Sequence, residues 1–256
     1  MIGFTEAQVL AWMAPVLWPF LRVLAVFTVA PIFSSKAIPV RARIGLALLV
    51  AVAAQPSLPV PMDASWSGPQ LWGVVAQQVG LGLCIGFVVR LVFATFELAG
   101  DVVGFQMGLN FAAFFDPSIN AQSSATARFF GYMASLLFVV LNGHLLVLAA
   151  VIQSFNAFPV DQHFLHALSL MKLYRLGGDL FASGLWIALP MVGMLMFANL
   201  ALGMVSRVAP QMNIYAVGFP ITLMVGLIGM AVTLPLLEGP FQLLMARALE
   251  VFVGAY

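Results

Sequence analysis

Six long apolar runs constrain the fold of this chain more than any other feature of its sequence. They lie at about 7–34, 44–60, 70–110, 129–157, 180–206 and 214–237. Backbone amides cannot stay unpaired in hydrocarbon, so a membrane-spanning segment must be a helix or a strand of a closed barrel. Barrel strands alternate apolar and polar residues, whereas these runs are continuous. The sequence therefore predicts an all-α, polytopic integral membrane protein of about six broken apolar helical segments, followed by an amphipathic tail at 238–256.

The low charge of the chain supports a membrane environment. Only 7% of the 256 residues are charged and 63% are hydrophobic, whereas about 25% of a typical soluble domain is charged. The net charge of +1 leaves no basic surface to neutralise phosphates, which argues against nucleic acid as a partner. The first basic residue, Arg22, lies well inside the first run. We therefore expect the first helix to be retained rather than cleaved as a signal peptide.

Basic residues cluster in the loop after the first run. Lys36, Arg41 and Arg43 lie within eight residues, and the positive-inside rule predicts that this loop faces the cytoplasm. Lys172 and Arg175 fall on the opposite side by the same count, which weakens the orientation signal. A weak signal of this kind indicates that some runs are not simple spans.

The third run carries three charges on one helix face. Arg90, Glu97 and Asp101 are spaced seven and four residues apart, so a helix places them on the same side. Charges at membrane depth usually face protein or a water-filled cavity, which predicts a buried charge network. Arg22 and Arg128 are candidate partners for the two carboxylates. Two roles stay open, structural ion pairs within an assembly and the movement of ions or protons.

Glycines recur every four residues in the same run. Gly100, Gly104 and Gly108 form one row, and Gly82 and Gly86 repeat the spacing earlier. Such rows let helix backbones approach closely in membranes. The pattern predicts tight helix packing, within the chain or between subunits, and not catalysis.

An aromatic segment follows the third run. Pro117 disfavours helical backbone at the residue before it, so we expect the helix to end near Asp116. The segment combines bulky apolar side chains with polar ends: Asn110, Phe111, Phe114, Phe115, Asp116 and Pro117. Such a segment either packs against protein or closes a pore by excluding water.

Further breaks keep a second class of function open. Turn-forming residues interrupt the fourth run at 142–144, and Pro190 and the Gly218-Phe219-Pro220 stretch interrupt the fifth and sixth. Broken helices also occur in secondary transporters, so an independent transporter is one alternative. An intramembrane enzyme is another, but no catalytic motif is present. His163 and His166 lack a third metal ligand nearby, so we expect no catalytic residue, metal or cofactor.

Seven stretches, in this order, resemble the FliR family of flagellar biosynthesis proteins. They include Gly-Phe-Gln-Met-Gly-Leu at 104–109 and Arg-Val-Ala-Pro-Gln-Met-Asn-Ile-Tyr at 207–215. The others lie at 22–34, 38–47, 142–144, 201–203 and 218–220. The resemblance covers nearly the whole chain, and the two quoted stretches favour the flagellar branch over the related SctT family of virulence injectisomes.

The resemblance implies a subunit of the type III protein export gate in the bacterial inner membrane, within the flagellar basal body. Its partners would be the FliP and FliQ families, the large FlhB family and unfolded flagellar proteins, with lipid around the conical assembly. Residues 1–180 would take the place of one FliP-type subunit, and the 181–256 hairpin that of one FliQ-type subunit. Residues 106–122 would plug the pore, with Met107 and Asn110 beside the three phenylalanines.

Overall fold

The structure, a computed structural model, describes residues 6–58, 69–109, 124–160, 173–211 and 213–253. Within these ranges the chain forms α-helices and short 3-10 turns, and no strand, which confirms the predicted all-α class. The eight α-helices are α1 Glu6–Val29, α2 Val40–Ala54, α3 Pro69–Gln106, α4 Ala125–Val140, α5 Gly143–Ala157, α6 Leu173–Val208, α7 Ile214–Thr233 and α8 Glu238–Val253. The 3-10 turns are Gln55–Ser57 and Leu234–Leu237.

Four helical stretches in the described ranges are long and apolar enough to cross a membrane. They are Val40–Ser57, Gln70–Gln106, Tyr174–Val208 and Ala216–Val253. The pair α4 and α5 qualifies as a fifth, bent by 69°. With 38 residues, α3 extends over about 57 Å, well beyond the hydrocarbon core of about 30 Å. The predicted polytopic character is confirmed, and α3 is too long for one simple span.

The prolines do not break the helices in the way that the sequence pattern indicated. Pro190 lies inside the continuous α6, and Pro220 lies inside α7. Pro15 and Pro19 lie inside α1 in the same way. A proline removes one backbone hydrogen bond, but a long membrane helix retains the others and its neighbours accommodate the distortion. The predicted interruptions at Pro190 and Pro220 are therefore wrong.

The fourth run does break where the sequence predicts. Asn142 adopts the left-handed conformation with φ of 55°, which asparagine tolerates better than most residues. A Cβ at the neighbouring Gly143 would lie 2.6 Å from Cδ2 of Phe138, so only glycine fits there. These two residues end α4 and begin α5.

The end of α3 corrects a second prediction. The helix ends at Gln106, ten residues before the expected boundary near Asp116. Gly108 has φ of +80°, and its amide donates to the Phe105 carbonyl at 3.1 Å. A left-handed glycine is a common helix terminator, and its conformation decides the boundary before Pro117 can act.

The described chain divides into two compact units. The first comprises residues 1–91, 138–176 and 245–256, and the second comprises 92–137 and 177–244. In the first, an apolar core gathers Ala14, Trp18, Leu58, Val74 and Phe155. In the second, the Phe241 ring packs against the rings of Phe93 and Phe96, with centroids 6.2 and 5.5 Å away. The predicted division at residue 180 concerns resemblance to sister subunits, and it stays a prediction.

Candidate functional site

The aromatic segment predicted from the sequence falls on residues outside the described ranges. These are Asn110, Phe111, Phe114, Phe115, Asp116 and Pro117. The structure does describe the chain on either side, at Met107 and Gly108 before the segment and at Ser124 after it. Both flanks belong to the second unit. The candidate site is therefore built from these two flanks and the helices that hold them.

The first flank is held by α7. Met107 is fully buried, and its carbonyl shares the Thr222 Oγ1 donor, at 3.3 Å, with the Phe219 carbonyl of α7, at 3.0 Å. A Cβ at Gly226 would lie 2.5–2.6 Å from the Cγ, Cε and Sδ atoms of Met107. The Met107 side chain thus fills the space that the missing side chain of Gly226 leaves open. One turn of α7 fixes both the backbone and the side chain of Met107.

Gly108 redirects the chain immediately after this contact. Its φ of +80° lies in the left-handed region that glycine adopts readily. A Cβ there would be 3.6 Å from the ring of Phe219, which is ordinary van der Waals contact. The backbone conformation, rather than crowding, therefore requires glycine at position 108.

The second flank is held by α3. Ser124 Oγ donates to Asp101 Oδ1 at 2.6 Å and accepts from the Ala127 amide at 3.1 Å. The second bond is a helix N-cap, which satisfies one of the amide donors that a helix start leaves unpaired. The first bond ties the start of α4 to the half-buried carboxyl of Asp101. Both flanks of the aromatic segment are thus fixed by specific contacts.

An apolar cavity of about 380 Å³ lies beside both flanks. Leu109 borders it from the first flank, and Ala125 and Thr126 border it from the second. The remaining lining residues are apolar side chains of α4, α7 and the turn after α7: Phe129, Leu227, Met230, Ala231 and Leu234. Thr126 is the one polar residue among the described lining residues, so this part of the cavity suits apolar groups and offers little to a polar ligand.

The charges of the predicted network differ in burial within the single chain. In the single chain Arg90, Glu97 and Arg128 are exposed, and Asp101 is half-buried with Ser124 as its partner. Their burial was predicted for an assembly and stays a prediction.

Arg22 departs from the sequence interpretation. Its three described hydrogen-bond partners are neutral groups, namely Gln78 Oε1, Ser154 Oγ and the Phe158 carbonyl. The proposed pairing of Arg22 with the carboxylates of α3 is therefore replaced by a neutral hydrogen-bonded site.

Glycines of the predicted row take different positions. At Gly100 a Cβ would lie 2.7 Å from both the Ala127 Cα and the Thr126 carbonyl oxygen, so the α4 backbone crosses directly over it. Gly104 is buried, and Gly108 terminates the helix. Close backbone approach therefore concerns Gly100, whereas Gly108 serves the turn.

Sequence reasoning missed the anchoring residues Thr222 and Gly226. A signal was present, because a small polar residue and a glycine four positions apart form a small-xxx-small pair in the apolar α7. Ser124 also escaped notice, although a serine before an apolar helix is a common N-cap.

The fold and the site define a polytopic helical membrane protein, and the site's described features are contacts between helices. The family described as "Bacterial export proteins, family 1" matches residues 13–248. Over 241 residues the chain is 39% identical to the flagellar biosynthetic protein FliR of Escherichia coli strain K12, covering 94% of this chain and 92% of that protein. It is equally 39% identical to FliR of Pectobacterium carotovorum, over the same shares. FliR of Bacillus subtilis strain 168 is 30% identical over 82% of each chain.

The chain therefore belongs to the FliR family of flagellar biosynthetic proteins, as the sequence resemblance indicated. Membership makes it a component of the flagellar export apparatus.

Proposed function

We propose that the chain is a channel-forming subunit of the flagellar protein export gate in the inner membrane, at the flagellar basal body. Its role is structural and gating rather than enzymatic. It assembles with subunits of the FliP and FliQ families and with the FlhB-family protein, and unfolded flagellar proteins pass through the assembly. Residues 1–180 and 181–256 take the places of one larger and one smaller subunit.

We further propose that residues 106–122 plug the pore before export. The observation that carries this proposal is the pair of fixed flanks, because Met107 is locked on α7 and Ser124 is locked on Asp101. Between these flanks the sequence holds Phe111, Phe114 and Phe115. A constriction lined by such bulky apolar groups excludes water and therefore ions. An arriving export substrate displaces the segment between its two flanks.

Replacing Phe111, Phe114 and Phe115 together by alanine is expected to make the assembled gate leak ions. Three smaller side chains no longer dewet the constriction, so the membrane potential of resting cells falls on expression of the variant. A potential-sensitive dye measures the effect, and a pull-down of the tagged chain shows whether the gate subunits still assemble.

The matched control removes three phenylalanines elsewhere. Phe87, Phe181 and Phe197 are exposed on α3 and α6, and their replacement by alanine changes composition by the same amount. The plug proposal is contradicted by an assembled Phe111/Phe114/Phe115 variant that holds its potential, or by a control that leaks equally.

A second expected result concerns the Met107 anchor. Gly226→Ala places a methyl group against Met107 and displaces it, because overpacking of this kind typically costs about 1–3 kcal/mol. We expect a partial leak from Gly226→Ala. The double variant Gly226→Ala/Met107→Ala restores the space and should leak less than Gly226→Ala alone.

Gly203→Ala supplies the control for this pair. No atom lies within 4 Å of a Cβ built at Gly203, so the same substitution there should leave the gate tight. If Gly226→Ala and the double variant leak equally, the packing of Met107 against Gly226 does not control the position of the segment, and this prediction is contradicted.

A further inference from the structure

The N-terminal end of α2 combines three cations with an exposed apolar face. Lys36 and Arg41 are exposed and Arg43 is half-buried. No aspartate or glutamate occurs between residues 7 and 62, so the local charge is not balanced by neighbouring sequence. The chain as a whole carries a net charge of only +1. The three cations therefore form a concentrated positive site in an otherwise weakly charged protein.

A hydrogen-bonded turn holds these cations in place. The Ser35 carbonyl accepts from the Ile38 amide at 3.1 Å and from Arg43 Nη2 at 3.3 Å. The Ala37 amide donates to Ser35 Oγ at 3.3 Å. Lys36 thus lies inside an ordered turn, and Arg43 links that turn to the first turn of α2. The positive groups are presented at one end of the helix rather than spread along it.

The apolar face begins where the cations end. Val40, Ile44, Leu48 and Val52 are 65, 43, 47 and 50% exposed. Their spacing of four residues places them in one row along the helix. The row extends over about 18 Å at about 1.5 Å per residue. One leaflet of the hydrocarbon core is about 15 Å thick, half of the total of about 30 Å.

We propose that this surface binds an anionic phospholipid, with the phosphate at Lys36, Arg41 and Arg43 and an acyl chain along the α2 row. Charge complementarity assigns the headgroup, because basic residues at a membrane surface recognise anionic lipid. The row is about as long as one leaflet of the hydrocarbon core is thick, so we place the acyl chain along it. Among the described residues, the exposed apolar surface of α6 lacks this combination, because Asp179 follows Arg175 by one turn and Arg207 lies at the opposite end. This inference does not depend on the plug.

The test compares lipid affinities of the assembled complex purified with the full chain in mild detergent. Native mass spectrometry measures the dissociation constants of phosphatidylglycerol and phosphatidylcholine. Each basic residue near a membrane surface contributes about 1 kcal/mol to the attraction of anionic lipid. The variant Lys36→Gln/Arg41→Gln is therefore expected to lower the preference for phosphatidylglycerol by roughly 30-fold, at about tenfold per 1.4 kcal/mol.

The control variant Arg175→Gln/Arg207→Gln removes the same charge and should leave the preference unchanged. An unchanged preference in the Lys36/Arg41 variant, or an equal loss in the control, overturns the proposal.

A photo-crosslinking side chain at Leu48 gives an independent readout in native membranes. Crosslinks to lipid support the proposed occupant. Crosslinks to a protein subunit assign the α2 row to a protein interface and overturn it.

Discussion

A leucine in place of Gly82 is expected to prevent α1 and α3 from packing and to lower strongly the yield and the heat resistance of the folded chain from membranes. A Cβ at this position would collide with the carbonyl oxygen of Arg22 and would lie 2.7 Å from the Cβ of Ala25. The next glycine of the row faces the same helix, because a Cβ at Gly86 would lie 3.0 Å from the Val26 carbonyl oxygen. Backbone atoms of a helix cannot move aside as a flexible side chain can. The two helices must therefore separate.

The expected loss of stability is at least about 3 kcal/mol, the upper part of the usual range for overpacking. Separation also withdraws the α3 partner of Arg22, which adds to the loss. Thermal aggregation of the detergent-solubilised chain, followed by size-exclusion chromatography, measures the effect. The co-purification of gate partners should fall with it.

Gly45→Leu is the matched control for this substitution. Gly45 lies on α2 with no atom within 4 Å of a built Cβ, so the same change there meets open space. A Gly82→Leu chain that resists heat as well as the Gly45→Leu chain does would mean that α1 and α3 do not pack in this way in the membrane.

Much of the helical architecture follows from the sequence because bilayer physics leaves few alternatives. Long apolar runs with few charges must be helices when strand alternation is absent. The break at Asn142 was predictable too, since an Asn-Gly pair supports a backbone conformation that other residues resist. Close packing at Gly82 and Gly100 could be anticipated from their spacing, although the partner helix could not.

The predicted helix boundaries were wrong because they depend on the conformation of the backbone. A proline such as Pro190 removes one hydrogen bond, and only the surrounding packing decides whether the helix continues. The end of α3 depends on the φ of Gly108, and glycine is also compatible with a continuing helix. Neither outcome can be deduced from residue type alone.

The aromatic part of the candidate site rests on the sequence and stays a prediction, whereas the contacts that anchor it were not predicted. Three phenylalanines beside a proline are visible in any sequence window. The anchor of Met107 is not, because Thr222 lies 115 residues further along the chain. A partner at that distance is determined by tertiary packing.

The contacts of Arg22 could not be predicted from the sequence. The side chain is fully buried, and the expectation for such a cation was a carboxylate. Instead Nε donates to Gln78 Oε1 at 2.9 Å and Nη1 donates to Ser154 Oγ at 2.8 Å. Nη2 donates to the carbonyl of Phe158, the C-cap residue of α5, at 3.1 Å. The guanidinium also lies 3.6 Å from the centre of the Phe155 ring.

Among the described residues, the counter-charge for Arg22 is the C-terminal end of α5. Unpaired carbonyls at a helix C-terminus carry partial negative charge, equivalent to about half an elementary charge. The face of an aromatic ring adds further negative potential. These neutral groups compensate the buried cation only when all of them are present, so the stability of the first unit depends on the complete set.

Gln78→Leu is expected to destabilise the chain strongly while Arg22 is present and weakly once Arg22 is replaced by methionine. Loss of a hydrogen bond to a buried charged group costs about 1.5–3 kcal/mol. Arg22→Met removes the charge and retains an unbranched apolar side chain, so Gln78 no longer faces a buried cation. The effect of Gln78→Leu should then fall below about 1 kcal/mol, because the remaining amide contact is between neutral groups. Thermal unfolding of the four proteins, followed by tryptophan fluorescence, gives the coupling energy.

Gln153→Leu provides the comparison, because Gln153 is exposed on α5 next to Ser154 and its replacement should change stability by less than about 0.5 kcal/mol. A Gln78→Leu effect of equal size with Arg22 and with Met at position 22 would contradict the compensated-cation account. It would show that Gln78 acts through its own packing. A coupling above about 1.5 kcal/mol would instead identify α1, α3 and the end of α5 as parts of one electrostatic unit. In that unit the buried charge has its hydrogen-bond partners only when the three helices pack together. Arg22 would then raise the free energy of incompletely packed arrangements of the chain as well as stabilise the folded one.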